Sequence, residues 1–200
     1  MAKTSLSSIF DKYFIYSLGG LLELIYFFFK TKLLFKNIKL IRFPIFIRGR
    51  KFIKFGKLMT TGRFCRLDVM PIKKIYRNKK LLTFGIDVEI GDRVQISSVN
   101  GITIGDRCLI ASNVYISDHD HGRTDLNDLK NNPKKRKLNS KKVVIGSDCW
   151  IGQNVCILKG CNIGSHSIIG AGSIVTKSFP SYSVIAGNPA RIIKKQSTLL

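Results

Sequence analysis

The chain has 200 residues, 44% of them apolar, enough for a sizeable core and too many for wholesale disorder. Its 34 Lys and Arg against 12 Asp and Glu leave a formal charge of +22. Such an excess draws a chain toward polyanions: nucleic acid, phosphate-rich substrates or an anionic membrane face. The five irregularly spaced cysteines make no disulfide framework and read as reduced thiols.

Residues 1–80 hold 19 basic and 3 acidic side chains, whereas residues 81–200 hold 15 and 9. Inside the first part lies Tyr13–Phe29, a 17-residue apolar run with the single charge Glu23, followed by Lys30, Lys32, Lys36, Lys39 and Arg42. A spanning helix needs about 20 apolar residues, and no cleavage-site pattern follows the run. Residues 1–50 are therefore expected to form an apolar, basic helical segment. Lying on an anionic membrane surface satisfies both its apolar and its cationic parts. Packing on the domain or on a neighbouring subunit, and a true span, are the alternatives.

From Phe84 onward the chain keeps a six-residue rhythm. Large residues fall at Phe84, Ile90 and Ile96, then at Ile104, Ile110 and Ile116, then at Ile145, Ile151, Ile157, Ile163, Ile169 and Val175. Glycine follows many of them, and four residues after each comes a small or medium one such as Val88, Cys108, Cys149, Val155 or Ser167. A helix advances about 600° in six residues, which would smear the large positions around its circumference. In an extended chain an even step keeps them on one face. Three six-residue units then close a triangular coil, with coils stacked at the inter-strand distance of about 4.8 Å. The glycines are expected where one flat side bends into the next.

Two irregularities interrupt the rhythm. Between Ile96 and Ile104 the step is eight, so two residues around Ser98–Gly101 bulge. Between Ile116 and Ile145 it is 29, which puts residues 118–142 in an extruded loop without apolar periodicity. The repeat domain is expected over 51–185, with irregular early coils, and residues 186–200 as a turn and basic tail.

NVYISDHDHG (Asn113–Gly122), VVIGSDCWIGQNVCILKGCNIG (Val143–Gly164), IIGAGSIVTK (Ile168–Lys177) and AGNPARIIKK (Ala186–Lys195), in that order, resemble the hexapeptide-repeat acyltransferases, in particular the sugar O-acetyltransferases of surface-polysaccharide biosynthesis. The resemblance implies a left-handed parallel β-helix, mainly β, and a homotrimer with acetyl-CoA in a groove between subunits. Such an enzyme needs a base at the acceptor hydroxyl, and histidine, with an ordinary pKa of about 6.5, suits that role. Aligned from Asn113-Val114, the family's catalytic histidine matches His121. His119 is either a locally hydrogen-bonded loop residue or a substrate contact, and either Asp118 or Asp120 can orient the imidazole. Ser97 stands where relatives with small-sugar acceptors carry asparagine, and its hydroxyl can still hydrogen-bond an acceptor. The resemblance places Trp150, Gln153, Ala171 and Thr176 along the pantetheine arm, with Lys177, Arg191 and Lys194 at the CoA phosphates. His166, in a repeat turn, reads as exposed and structural.

Other chemistries fit less well. Cys108, Cys149 and Cys161 occupy the small inward slot, and only Cys156 should face outward, so a covalent cysteine mechanism lacks a partnered thiol. A zinc site of the carbonic-anhydrase type needs three histidines, and His119 with His121 supply two. No nucleic-acid motif accompanies the basic residues, so neither metal nor nucleic acid is expected. The reading is an acetyl-CoA-dependent O-acetyltransferase acting, without an acyl-enzyme, on a sugar hydroxyl of a lipid-linked or surface-polysaccharide precursor at the cytoplasmic membrane face. Acetylation of a soluble acceptor (free sugar, nucleotide sugar or xenobiotic) is the alternative.

Overall fold

In a computed structural model that describes residues 16–72 and 78–195, short strands of two to six residues alternate with tight corners. They stack into three parallel sheets, the flat sides of a left-handed triangular β-helix. Face one runs through Leu40–Ile41, Thr60–Thr61, Glu89–Ile90, Leu109–Ile110, Trp150–Ile151, Ile168–Ile169 and Ser183–Gly187. Face two stacks Ile45–Arg48, Cys65–Val69, Gln95–Ser98, Tyr115–Ser117, Cys156–Ile157 and Ile174–Val175, and face three begins at Ile53–Lys54. The parallel ladders thus take in residues 40–54, ahead of the boundary the rhythm suggests.

The large aliphatics meet in the axis of the prism. Ile90, Ile96, Ile104, Ile110, Ile116, Ile145, Ile151, Ile157, Ile163, Ile169 and Val175 are all buried, each stacked on its counterpart one coil away. Fully burying such a side chain stabilises by roughly 1.5–3 kcal/mol. Corners turn on a left-handed residue directly before the small slot. Asp87, Arg107, Asn113, Asp148, Asn154 and His166 all have φ between +52° and +60°.

The glycines after the large aliphatics serve a different purpose from the one expected. Gly105 lacks a left-handed φ, but a Cβ there would sit 2.5 Å from the backbone nitrogen of Ser147 in the next coil. Close stacking of coils, rather than backbone conformation, demands glycine at that position.

Helix α1 (Leu18–Leu34) caps the first coil. Ser17 Oγ accepts from the Gly20 N–H at 3.2 Å. Phe27 and Thr31 are buried on the inner side, and Thr31 Oγ donates to the Phe27 carbonyl while accepting the Ile41 N–H at 2.9 Å. That bond ties the helix to the first strand, and Arg63 also pairs with Glu23 of the helix. Residues 13–15 of the apolar run lie outside the described residues. No helix among the described residues is long and apolar enough to cross a membrane. At the far end, Ala190–Lys195 turns back antiparallel on Ser183–Gly187, so the segment read as a tail contributes a closing strand.

Departures from the six-residue rhythm pile up on one corner, where face two meets face three. The turn at Arg50–Phe52, the chain after Val69, the bulge 99–101 and the loop 118–142 all leave from there. The loop has order of its own: His119–His121 pairs antiparallel with Leu138–Ser140, and a short helix, α2 (Leu126–Leu129), is capped by Asp125.

Candidate active site

Where the loop departs, the two-residue bulge of the preceding coil wraps the Asp118 carboxylate. The backbone N–H groups of Val99, Asn100 and Gly101 donate to it at 2.9, 2.8 and 2.6 Å, and Ser98 Oγ donates at 2.9 Å. The carboxylate is fully buried. Burial pushes its pKa up, but the His119 ring and the three backbone donors outweigh that and hold it below the usual range.

An ionised carboxylate only accepts, so His119 Nδ1, 3.0 Å from Asp118 Oδ1, carries a proton, and in the neutral ring Nε2 is the acceptor. Ser117 Oγ donates to the His119 carbonyl at 2.9 Å and lies 3.3 Å from Nδ1. Alternation along the hairpin strand puts His119 and His121 on one side and Asp120 on the other. The two rings meet edge to face with centroids 6.4 Å apart. His121 is exposed, and among the described residues no side chain hydrogen-bonds its ring. Of the two candidate orienting carboxylates, Asp118 is engaged by His119, and Asp120 pairs with Lys159 of the next coil. Asp120, Arg123, Asp125, Asn139 and Lys159 line a cavity of about 280 Å³ beside the hairpin.

Ser97 and Ser117 are register partners on face two, both buried, and the Ser117 hydroxyl reaches the His119 backbone at the loop corner. This polar corner, fed by an extruded hairpin, sits on a stack whose segments 142–177 and 85–118 match the families described as bacterial transferase hexapeptide (six repeats) and hexapeptide repeat of succinyl-transferase. The chain is 39% identical over 184 residues, 90% of each protein, to the Escherichia coli K12 protein named "Putative lipopolysaccharide biosynthesis O-acetyl transferase WbbJ". It belongs to the hexapeptide-repeat acetyltransferases.

The galactoside O-acetyltransferase of E. coli K12 shares 44% identity over 94 residues, 47% of this chain and 44% of that one. A hexapeptide-repeat acetyltransferase from Vibrio cholerae O1 biovar eltor, crystallised with acetyl coenzyme A, superposes with a TM-score of 0.54 at 26% identity, over 72% of this chain and 69% of that one. The protein is an acetyl-CoA-dependent O-acetyltransferase.

In this hexapeptide-repeat acetyltransferase the residues expected to hold CoA fall on two corners. Leu109, Trp150 and Ile168 form an outward row on face one, exposed by 47, 51 and 37%. Gln153 and Ala171 follow that row at the next corner, where the Gly172 N–H donates to the Gln153 carbonyl at 2.8 Å. A Cβ at Gly172 would meet nothing within 4 Å, so backbone is open to a ligand there. Arg191 and Lys194 lie on the closing strand against face one. Thr176 and Lys177 instead start the corner between faces two and three, the one that bears the loop two coils away. Among the described residues, Lys177, Arg191 and Lys194 have no carboxylate partner.

Cys108, Cys149 and Cys161 are buried core residues and Cys156 is half-buried. His166 is exposed and stacks on Tyr182 at 4.9 Å between centroids. Sequence reasoning missed Ser117 and Lys159. Ser117 falls in the slot of Ser97, one coil plus the two-residue bulge later, so counting the bulge exposes the pairing. Lys159 carries no such signal.

Proposed function

We propose that the enzyme acetylates a sugar hydroxyl of a lipid-linked or surface-polysaccharide precursor, with His121 as general base. The exposed His121 ring, on a hairpin that leaves face two directly after Ser117, carries this reading. His121 takes the hydroxyl proton, the sugar oxygen attacks the thioester carbonyl, and the tetrahedral intermediate collapses with the CoA thiolate as leaving group. The thiolate is protonated on departure, and the acetyl group passes directly to the sugar.

The split of the CoA residues over two corners supports a homotrimer. A cleft between neighbouring subunits takes the Trp150–Ala171 corner of one copy and the loop corner of the next.

Helix α1 supports a membrane-surface acceptor. Its inner side packs on the first coil, while Leu18, Leu22, Ile25, Phe28, Phe29 and Leu33 stay exposed. A groove of about 720 Å³ runs beside it, with Leu21, Leu24, Phe28, Lys39, Arg42 and Glu89 among its lining residues. Apolar side chains flanked by cations suit an anionic bilayer surface, and this supports the reading of a peripheral enzyme on the cytoplasmic face. The soluble-acceptor reading leaves that surface without a role.

The test is acetyl transfer from acetyl-CoA to extracted lipid-linked oligosaccharide. His121→Ala should lower turnover by about 10²–10⁴-fold with CoA affinity unchanged. Full turnover in that variant would remove His121 from the mechanism.

A further inference from the structure

Below the histidines, the outward column of face two continues in register as Ser117, Ser97, Asp68 and Arg48. Asp68 is on the outward side of its strand and yet only 6% exposed, because two arginines cover it. Arg48 Nε donates to one carboxylate oxygen at 2.6 Å and Arg66 Nε to the other at 2.7 Å. Burial raises the Asp68 pKa, and the two guanidinium groups more than offset it and hold the acid ionised. One negative charge between two positive ones leaves the cluster with a net charge of +1.

The way these arginines are tethered distinguishes them from a structural ion pair. At Arg107 the guanidinium grips Asp148 with both Nε and Nη2. At Asp68 each arginine spends only Nε, and the side chains stay 57 and 54% exposed. Among the described residues the terminal amino groups take no side-chain partner, on side chains that are more than half exposed. Guanidinium groups fixed in this manner match the fork geometry of phosphoryl oxygens.

The spacing ties the cluster to the site. Asp68 is two strand steps from Ser117, about 10 Å, and Ser117 Oγ touches the His119 ring. A pyranose ring laid along this column, against the buried Ser97 and Ser117, would span that interval, with a hydroxyl toward the histidine hairpin and a phosphoryl group at the arginines.

We propose that Arg48 and Arg66, pre-positioned by Asp68, bind the phosphoryl group of an acceptor presented as a sugar diphosphate. The inference rests on the sugar-acceptor reading above and narrows it to acceptors that carry a diphosphate on the sugar, whether the far end is a nucleoside or a polyprenyl chain.

Titration of the full-length protein, saturated with CoA to fill the other phosphate site, tests this. The probes are UDP-glucose, farnesyl-diphosphate-linked glucose and methyl glucoside. At least one diphosphate probe should bind at least ten-fold more tightly than methyl glucoside, and which of the two binds better identifies the far end. Arg48→Gln and Arg66→Gln should each weaken diphosphate-probe binding at least ten-fold. Because losing an arginine also unpairs buried Asp68, Arg66→Lys serves as a second variant that keeps the charge. With thermal unfolding near wild type, it should still lose several-fold in affinity. Equal affinity for all three probes, or unchanged binding in Arg48→Gln and Arg66→Lys, would overturn the proposal. CoA affinity and acetyl transfer, measured separately, report on the proposed function itself, so the two can fail independently.

Discussion

Nδ1 of His119 lies 3.0 Å from Oδ1 of Asp118, and the same buried carboxylate closes a ring of three consecutive backbone N–H groups from the coil before it. A single side chain therefore anchors the root of the extruded loop and fixes the tautomer of a histidine that stands beside His121. Loop placement and site electrostatics are coupled through it.

Asp118→Asn should be strongly destabilising, by about 3–5 kcal/mol, because an amide turns a donor toward groups that are all donors. Urea unfolding measures the loss. A variant within about 0.5 kcal/mol of wild type would show that the bulge does not depend on this carboxylate.

Stability should also fall in acid with a predictable sign. Asp118 and Asp68 both have folded pKa values held below the ordinary value. Their contribution is complete above the unfolded carboxylate pKa of about 3.9 and is lost as pH drops from there through the folded values. Unfolding midpoints recorded from pH 6 down to pH 2 should decline below about pH 4, and Asp118→Asn should flatten that decline.

Two glycine substitutions should separate crowding from backbone strain. Gly105→Ala pushes a methyl group against the Ser147 backbone and should cost about 1–3 kcal/mol or more. At Gly172, φ is +70° with open space around it, so Gly172→Ala carries only the left-handed penalty of about 1–2 kcal/mol. Thermal unfolding of the pair should rank Gly105→Ala as the less stable.

Replacing Leu22 and Phe29 of α1 with glutamate should leave the melting temperature within a few degrees, since both are exposed. Flotation with anionic vesicles should fall at least ten-fold, because each apolar contact with lipid is worth about 1.5–3 kcal/mol. Undiminished flotation would move membrane contact to another surface.

Trp150→Ala removes an exposed ring from the outward row on face one. It should raise the KM for acetyl-CoA about ten-fold with a smaller change in kcat, the pattern of lost ground-state binding.

The sequence by itself determined the column. A six-residue step is compatible only with an extended chain turning three times per coil, so the buried aliphatics, the inward cysteines and the loop after Ile116 were all legible as pattern. The resemblance to the family's motif, aligned from Asn113-Val114, is what pointed to His121. Tertiary structure decided what those positions meet. Asp68 is separated from Ser97 by an insertion that destroys the phase, and only stacking brings it into line with Ser97 and Ser117. Which aspartate holds which histidine was undecidable from four alternating residues, because it depends on a bulge 17 to 19 residues earlier closing around one of them. Repeats are local and survive as periodicity, whereas a site assembled across coils depends on register, and register is set by the summed lengths of the corners between strands.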